Sequence, residues 1–297
     1  MMNAKSPKST KIKNFITFDI EEWYAANFDS VDLSQFSDNT NHLEKNVDQL
    51  LEICDENSVK STCFILGEIA QKKPHIIRKI HDQGHEIASH SLAHKLVYTM
   101  TPGEFREDLR QSCDLLEQIT GDKVVGYRAP SWSVNEEVLP WFYEILEEQG
   151  ILYSSSVFPG KTFLYGIPGF PQKIHQPVVG GRQRKIWEIP QNLFSFAGKN
   201  VGFSGGFYLR FFPGFFVRNQ LRKANKQGKS VFVYLHPREI DPKAPRLELP
   251  FVEKTIHYWG IAGCEKKFIR TVSVFQPTFV RMNDYVRQLS ENQNKKS

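Results

Sequence analysis

The sequence predicts an α/β fold, a distorted and partly open (β/α) barrel. Three observations support this fold class. Short apolar stretches typical of buried strands alternate with segments whose apolar residues recur at helical spacing. Polar side chains able to carry out chemistry follow directly after several of these strands. The 297 residues, 40% of them hydrophobic, are enough for one large barrel of this kind.

The first part of the chain repeats a strand followed by a helix. Strands are predicted at 14–20, 60–66, 85–90 and 124–128, and helices at 42–57, 74–83 and 101–121. The last helix has the clearest boundaries, because Thr101 and Glu104 match a capping box and Gly121 follows its final turn. Repeated units of this kind imply a parallel sheet, and in such barrels the carboxyl-terminal edge carries the active site.

The second part continues the same alternation. Helices are predicted at 136–150 and 215–228, and strands at 151–156, 184–190 and 230–236. We divide the chain into a flexible tail at 1–13, one domain at 14–270, and a C-terminal helix with a charged tail at 271–297. No internal repeat or low-complexity linker indicates a further division.

Composition narrows the class of protein. The formal net charge is +5 with Lys and Arg scattered, so we do not expect nucleic-acid binding. Cys54, Cys63, Cys113 and Cys264 form no CxxC pair and are expected to be buried and reduced. No window approaches the roughly 20 apolar residues of a membrane-spanning helix, and no signal peptide is evident. We therefore expect a cytoplasmic protein, acting at most at the inner face of the membrane.

Two motifs that follow predicted strands offer metal ligands. In FDIEEW, Asp19 and Glu21 are two residues apart, so in an extended segment both carboxylates point to the same face. In HSLAH, His90 and His94 have a spacing that lets both imidazoles reach one metal ion, as they would on one helical face. One carboxylate would complete a facial set of three ligands with open positions for water and substrate. The alternatives are solvated acids at a strand exit and two polar residues that begin a loop.

Two further motifs fit acid–base chemistry. In YRAPSW, Arg128 could orient Asp19, which beside a metal would act as the base. The proline of this motif stiffens the turn, so that the backbone N–H of Ser131 can point at a developing oxyanion. Trp132 is either a wall for sugar stacking or a core residue. In YLHPRE, His236 either protonates a leaving amine or is a buried structural histidine.

Taken in order, FDIEEW, HSLAH, RAPSW and YLHP resemble the motifs of polysaccharide deacetylases of the NodB type, carbohydrate esterase family 4. The resemblance runs from about residue 14 to about residue 245. It is strongest to the branch associated with exopolysaccharide and exosortase loci, because FSGGFYLRFFPGFFVR and YLHPREIDPKAPR extend the match past the shared core. It implies a barrel of the NodB-homology type, with a family-specific extension at the end of the 14–270 domain.

The resemblance also implies a role for each motif residue. Asp19 is similar to the family's catalytic base, and Arg128 to the residue that orients this base. His236 is similar to the catalytic acid. The metal ligands by motif position are Glu21, His90 and His94.

The sequence departs from the family pattern at two positions. Many members carry two adjacent aspartates in the first motif, but here an isoleucine intervenes, so Glu21, or less favourably Glu22, takes the ligand position. In ILYSSS, Ser154 stands where the family usually has an aspartate. If that aspartate tunes the acid histidine, His236 needs another partner, and Asp241 is nearby in sequence.

The resulting hypothesis is a metal-dependent hydrolase that removes N-acetyl groups from amino sugars of a bacterial polysaccharide or its lipid-linked precursor, releasing acetate. The expected cofactor is a divalent ion, zinc in the first place and otherwise cobalt, nickel, manganese or iron. The expected partner is an N-acetylated glycan, with peripheral contact to a lipid-linked form such as a lipopolysaccharide or exopolysaccharide repeat unit. The alternatives are a metal-dependent amidase acting on a small non-glycan amide and a glycan-binding protein without catalysis.

Four further residues are expected near the same pocket. Tyr208 and Arg210 lie in the aromatic tract that follows the shared core and could contact a sugar. Trp187 and Glu188 lie at the end of another predicted strand. Core packing accounts for most of the remaining aromatic residues of this tract.

Overall fold

The computed structural model describes residues 12–24, 41–162 and 165–295. The tail predicted at 1–13 therefore lies outside the described residues, apart from its last two positions. The strands, in chain order, are β1 (Phe15–Ile20), β2 (Thr62–Ile65), β3 (Glu86–Ser89), β4 (Gly126–Tyr127), β5 (Tyr153–Ser154), β6 (Val178–Val179), β7 (Arg182–Gln183), β8 (Trp187–Glu188), β9 (Leu193–Phe196), β10 (Lys199–Gly202) and β11 (Phe232–Leu235). Every strand predicted from the sequence is present, with its ends trimmed by one to several residues.

Helices follow most strands of the sheet and cover it. In chain order they are α1 (His42–Glu56), α2 (Gly67–Lys72), α3 (Pro74–Asp82), α4 (Pro102–Thr120), α5 (Leu139–Glu148), α6 (Gly206–Phe211), α7 (Gly214–Lys226), α8 (Phe251–Tyr258), α9 (Cys264–Phe275) and α10 (Met282–Asn294). Among the described ranges, none of these helices combines the length and apolar character needed to cross a membrane.

Seven of the described strands form one parallel sheet in the order β11–β1–β2–β3–β4–β5–β8. β1 lies between β2 and β11, with Thr17 opposite Thr62 on one side and Phe18 opposite Leu235 on the other. Within the described residues the edge strands β8 and β11 are not paired with each other, so the barrel is partly open, as predicted. Because all seven strands run in one direction, the side chains that follow them gather at one edge of the sheet.

The boundaries of α4 show how local sequence sets these elements. Thr101 Oγ1 accepts a hydrogen bond from the backbone N–H of Glu104 (3.3 Å), and the Glu104 carboxylate accepts one from the Thr101 N–H (2.7 Å). This is the predicted capping box, and a cap of this kind stabilises a helix by about 1 kcal/mol. Gly121 ends the helix with φ of 75°, a left-handed conformation that glycine adopts without strain. Leu109 and Leu116 anchor the buried face of the helix.

The C-terminal part packs against the barrel as part of the same body. The domain boundary expected at 270/271 falls inside α9, which buries Phe268 and Val272 on one continuous face. α10 then closes the amino-terminal edge of the sheet: the N–H of Met282 donates to Thr62 Oγ1 (3.0 Å), and the N–H of Asn283 donates to Glu86 Oε2 (3.0 Å). The expected boundary thus lies within an amphipathic helix, and the helix that follows is capped by the sheet.

The same amino-terminal edge buries a histidine just before β3. Nδ1 of His85 accepts a hydrogen bond from the backbone N–H of Ser61 (3.0 Å) and lies 2.7 Å from Ser61 Oγ. Burial, together with the nearby charges of Lys60 and Arg281, lowers the pKa of His85 to about 4. Protonation of Nδ1 would also remove the acceptor of the Ser61 N–H. His85 is therefore held neutral in the folded protein.

We expect this group to reduce the free energy of unfolding by about 2 to 3 kcal/mol as the pH falls from 6.5 to 4. Since the folded-state pKa lies below the unfolded value, the unfolded chain binds more protons in this window, and stability is lost as the pH falls. The measurement is urea denaturation at several pH values, with a chelator present, for the wild type and His85→Gln. A stability difference between the two proteins that stays constant across the window contradicts this expectation.

Candidate metal centre and active site

Three side chains meet at the carboxyl-terminal edge of the sheet. Oε1 of Glu21 lies 3.0 Å from Nε2 of His90 and 3.0 Å from Nε2 of His94. The candidate ligand atoms of these residues all lie within 4.8 Å of one another. Glu21 and His90 are buried, whereas His94 is partly open to solvent. The structure thus brings together the carboxylate and the two imidazoles singled out in the sequence.

The two histidines lie on a loop, and not on one helical face, which their spacing would also allow. His90 directly follows β3, after which Ser91 (φ 74°) and His94 (φ 58°) adopt left-handed backbone conformations. Asp108 of α4 accepts hydrogen bonds from Ser91 Oγ (3.2 Å) and from the N–H of Leu92 (3.1 Å). These contacts hold the loop in a turn that returns the second imidazole to the first.

A contact on the far side of the ring sets which nitrogen of His90 faces Glu21. Nδ1 of His90 lies 2.8 Å from the backbone oxygen of Arg128. Because a carbonyl oxygen only accepts hydrogen bonds, Nδ1 carries a proton, and in the neutral ring Nε2 presents its lone pair towards Glu21. A hydrogen bond of this kind is typical of histidines that bind metal ions.

The donor set fits a divalent metal ion. Two imidazole nitrogens and one carboxylate suit zinc and neighbouring transition metals and leave coordination positions open. Burial tends to raise the pKa of Glu21, but the charges of His94 and His236 and the close contacts with His90 and His94 together lower it well below its usual range. The carboxylate is therefore ionised, as a ligand must be.

Arg128 pairs with Asp19 beside these ligands. Nη1 of Arg128 donates to Oδ1 of Asp19 (2.5 Å) and to Oγ1 of Thr17 (3.0 Å). Nη2 donates to Oγ of Ser155 (3.1 Å), and Nε to its backbone oxygen (3.3 Å). The two charged side chains are 0% and 2% exposed, so each supplies the counter-charge that the other needs when buried. The orienting contact expected from the sequence is present.

Aromatic rings enclose the guanidinium of Arg128. Its carbon lies 4.0 Å from the ring centre of Phe64, 4.9 Å from that of Phe232 and 5.5 Å from that of Trp132. Trp132 is buried, packs edge-on against Tyr234 (4.8 Å between ring centres) and also borders the cavity described below. Trp132 is therefore a core residue that also forms part of the cavity wall, and its stacking against a sugar stays a prediction.

The turn after Arg128 has a conformation that side chains rarely adopt. Ser131 and Trp132 have φ of 51° and 48° within a short 3₁₀ turn. Left-handed backbone costs a non-glycine residue about 1 kcal/mol or more, so the surrounding structure must hold it. The N–H of Ala129 donates to Ser156 Oγ (2.9 Å) at the start of this turn. Ser131 borders the cavity, where the sequence predicts that its N–H faces the oxyanion.

His236 follows β11 on the opposite side of Glu21. Its Nε2 lies 3.8 Å from Glu21 Oε2, and its Nδ1 lies 3.1 Å from Glu239 Oε2. The same Glu239 oxygen accepts the backbone N–H of His236 (3.0 Å). Oε1 of Glu239 in turn accepts a hydrogen bond from Nε of Arg210 (2.7 Å), and both of these residues are buried. The imidazole is thus oriented by a carboxylate that a guanidinium holds in place.

Asp241 is not the partner of His236. It contacts Nδ1 of His42 (2.5 Å) and accepts a hydrogen bond from Asn46 (3.2 Å), so it ties β11 to α1. Sequence reasoning missed Glu239. In a 3₁₀ turn, residues three positions apart lie above one another, so Glu239 can reach His236, whereas Asp241, five positions away, cannot.

The environment of His236 favours its protonated form. Burial tends to lower the pKa of this group, and Arg238 acts in the same direction. The negative charge of Glu21 and the contact with Glu239 outweigh both, so that the pKa lies above its usual value. A histidine placed in this way is able to donate a proton from Nε2.

A cavity of about 820 Å³ opens above the centre and reaches Asp19, Glu21 and the three histidines. A volume of this size accommodates more than a single small acyl group. Tyr208 and Arg210 border it, as expected from the sequence. Its wall includes six aromatic side chains, those of Trp132, Phe158, Tyr165, Phe207, Tyr208 and Tyr234.

Trp187 and Glu188 do not border this cavity, contrary to expectation. Nε1 of Trp187 donates to Ser290 of α10 (3.1 Å). Glu188 is buried and accepts hydrogen bonds from the N–H groups of Ser156 (2.8 Å) and Val157 (2.9 Å). These residues position the chain after β5 and support the site only through the backbone that they hold.

The fold and the site together define a class of protein: a parallel α/β barrel whose strand ends present a histidine–histidine–carboxylate centre between an ion-paired aspartate and a carboxylate-paired histidine. Residues 15–150 match the family model described as polysaccharide deacetylase, and residues 155–287 match DUF3473, a domain of unknown function. Residues 15–150 thus match the family of polysaccharide deacetylases that the four motifs resemble, and the second match assigns no function to the rest of the chain. The resemblance seen in the motifs is confirmed.

Individual relatives agree with this assignment. The chain is 30% identical over 161 residues to a peptidoglycan deacetylase-like protein, FGM2, of Gibberella zeae, covering 50% of this chain and 46% of the relative. It is 29% identical over 96 residues to a peptidoglycan-N-acetylglucosamine deacetylase of Bacillus cereus, covering 32% of this chain and 35% of the relative. The chain thus spans less than half the length of these curated relatives.

A solved structure shares the fold over nearly the whole chain. It is the crystal structure of a candidate polysaccharide deacetylase from Mycobacterium smegmatis, with a TM-score of 0.65 and 19% identity. The alignment covers 99% of this chain and 96% of that chain. The C-terminal part, which lies beyond the polysaccharide deacetylase match, is therefore part of a shared architecture.

Proposed function

We propose that this protein is a metal-dependent hydrolase that removes N-acetyl groups from amino sugars of a bacterial polysaccharide or its lipid-linked precursor, releasing acetate. One observation carries the proposal. The predicted ligands Glu21, His90 and His94 lie together at one cavity, which Asp19 and His236 also border. Each group required for amide hydrolysis is then within reach of one substrate.

The residues of the chain divide the reaction between them. When bound to Glu21, His90 and His94, a divalent ion supplies Lewis-acid polarisation of the acetyl carbonyl and makes a water molecule more acidic. Asp19, with its charge balanced by Arg128, accepts a proton from the attacking water.

Two groups serve the intermediate and its breakdown. The N–H of Ser131 donates to the oxyanion that develops as the carbonyl is attacked, in line with the prediction from its motif. His236 donates a proton from Nε2 to the amine as the C–N bond breaks, and Glu239 stabilises the charge on the ring. Water and the N-acetyl group are thereby converted to acetate and a free amine.

The aromatic wall and the size of the cavity favour a glycan over a small amide. Aromatic rings are suited to stacking against sugars, and the cavity volume leaves room beyond one acyl group. The complete set of acid, base and ligand groups also argues for catalysis over glycan binding alone.

The direct test is acetate release. Protein loaded with zinc, cobalt, nickel, manganese or iron is incubated with N-acetylated oligosaccharides and, in parallel, with small acetamides. We expect acetate to be released from the oligosaccharides, and one metal ion to be bound per protein chain. Release only from small amides would support the amidase alternative, and metal-independent sugar binding without acetate would support the binding alternative.

The lipid-linked form of the substrate is the finer part of the proposal. Phe211, Phe251 and Trp259 are 50%, 84% and 55% exposed. They lie on or next to α6 and α8, which also supply Phe207 and Ile256 to the cavity wall. Exposed aromatic side chains partition favourably into the interface of a bilayer. These side chains support a membrane-proximal site.

We expect the protein to sediment with vesicles of phosphatidylglycerol and phosphatidylcholine, and the double variant Phe251→Ser, Trp259→Ser to bind them at least about 10-fold more weakly, since burying each ring is worth about 1.5 to 3 kcal/mol. Val178→Ser is the matched control, because Val178 is 66% exposed on β6 and does not border the cavity. Equal sedimentation of all three proteins would count against membrane contact.

A further inference from the structure

Arg238 brings a positive charge to the cavity that the proposed reaction does not use. It lies in the 3₁₀ turn Pro237–Ile240 that follows His236 and borders the same cavity as Asp19 and Glu21. Its Nε and Nη1 atoms are buried and have no hydrogen-bond partner. Among the residues that the structure describes, no carboxylate forms an ion pair with it. A guanidinium does not lose its proton in proteins, so this charge persists.

The nearby carboxylates are already committed to other groups. Glu239 follows Arg238 in the chain, but its two oxygens are occupied by Arg210 and by His236. Glu21 contacts three imidazoles. Burial lowers the pKa of Arg238 while Glu239 and Glu21 oppose this effect, which agrees with a cation held in a poorly solvated place.

The charge of the outer cavity wall points the same way. Apart from the metal ligands, Asp19 and the histidines, the charged residues that border the cavity are Lys161, Arg210, Arg238 and Glu239. Arg210 is fully used, because its three nitrogens donate to Glu239 and to the backbone oxygens of Ile256 and Trp259. This part of the wall therefore carries a surplus of positive charge, to which the half-buried Arg238 contributes.

We infer that Arg238 binds an anionic group of the substrate, and hence that the amino sugar carries, or is linked to a unit that carries, a carboxylate or a phosphate. Arginine is well suited to both groups, since its planar fork of N–H donors matches their oxygens. The cavity has room for such a group beyond the acetamide. This inference rests on the proposed function and names the substrate class for it.

A purely structural role for Arg238 makes a different prediction. If its charge served only to support Glu239, its loss would affect all substrates alike. Arg210 already provides that support through a direct contact of 2.7 Å. Substrate charge is therefore the variable that separates the two roles.

The experiment compares acetate release by the metal-loaded wild type, Arg238→Gln and Arg238→Lys from four probes, two neutral and two anionic. These are tri-N-acetylchitotriose, which is neutral; a hyaluronan tetrasaccharide, which carries carboxylates; and N-acetylglucosamine 1-phosphate, compared with N-acetylglucosamine. We expect Arg238→Gln to lower kcat/KM for one of the anionic probes by about 10- to 100-fold, mainly through KM, the size expected for one charge-assisted hydrogen bond. The neutral probes should change little, and Arg238→Lys should recover part of the loss.

The two anionic probes distinguish a uronate source of the charge from a phosphate source. Arg222→Gln is the control, because Arg222 is an exposed arginine of α7 that does not border the cavity. An equal loss for neutral and anionic probes, or no preference of the wild type for either anionic probe, overturns the inference. If the wild type releases no acetate from any probe, the proposed function fails instead. Calorimetric titration of the same sugars then decides the inference: charge-selective binding that Arg238→Gln abolishes supports it, and equal binding overturns it.

Discussion

His90→Ala should lose its bound divalent metal and, with it, acetate release. The variant removes one of two imidazoles from a three-residue centre and leaves Glu21 buried against the remaining one. Residues that merely support a ligand already change metal affinity by about 10- to 100-fold, so removal of the ligand itself should exceed that range. We therefore expect turnover to fall by more than about 100-fold, and the metal content after dialysis to fall towards zero.

The same variant has a readout that does not depend on activity. With zinc at about a hundredfold excess over its Kd, binding to the folded state should add about 2.7 kcal/mol to the stability of the wild type. His90→Ala should show little of this gain, whereas His75→Ala should retain it, because His75 is an exposed histidine of α3 that contacts Glu44. Full metal occupancy and turnover in His90→Ala would remove the basis of the proposed mechanism.

The second large effect is expected at Glu239, which contacts His236, the proposed catalytic acid. Glu239→Gln keeps the size of the side chain but removes the charge that faces Nδ1 of His236 and Nε of Arg210. General acid catalysis contributes about 10²- to 10⁴-fold to such reactions, so a loss of about 10- to 100-fold in kcat is expected when the acid is poorly oriented. KM and metal content should change little, since Glu239 does not touch the ligand nitrogens.

Asp241→Asn is the matched control for Glu239→Gln. Asp241 lies two residues further along and was the candidate partner in the sequence, yet it contacts His42. We expect its replacement to leave kcat within about twofold, and to reduce stability only modestly because the pair is partly exposed. A fall in kcat for Asp241→Asn and none for Glu239→Gln would reverse the assignment. Glu239→Ala is less informative, because it leaves Arg210 buried without its carboxylate, at a cost of about 3 to 5 kcal/mol in stability.

The fold was largely predictable because its signals are local. Parallel strands that are buried on both faces have short runs of apolar residues as their sequence signal. FITFDI is such a strand, because it is buried along its whole length. Helix ends were marked by residues whose side chains or backbone satisfy the terminal hydrogen bonds, as Thr101 and Gly121 do. The chain position of polar residues after strands then predicted their common edge.

The parts that escaped prediction depend on contacts between distant segments. The sequence around HSLAH does not indicate that Asp108, on the next helix, holds the loop in a left-handed turn. The partner of His236 was left open by the sequence, although Glu239 lies only three residues further on. Which acid can reach it depends on the 3₁₀ turn, and Arg210, which holds that acid, lies 29 residues from Glu239 along the chain.

β1 pairs with β2 on one side and with β11, near the other end of the chain, on the other. This arrangement limits how the protein can be truncated. A fragment ending near residue 150 would retain all three candidate ligands, yet it would lack β11 and leave one side of β1 as an open hydrogen-bonding edge, a known route to aggregation. It would also lack His236, the proposed proton donor. The segments matched by the two family models therefore contribute strands to one sheet, and we do not expect either segment to fold alone.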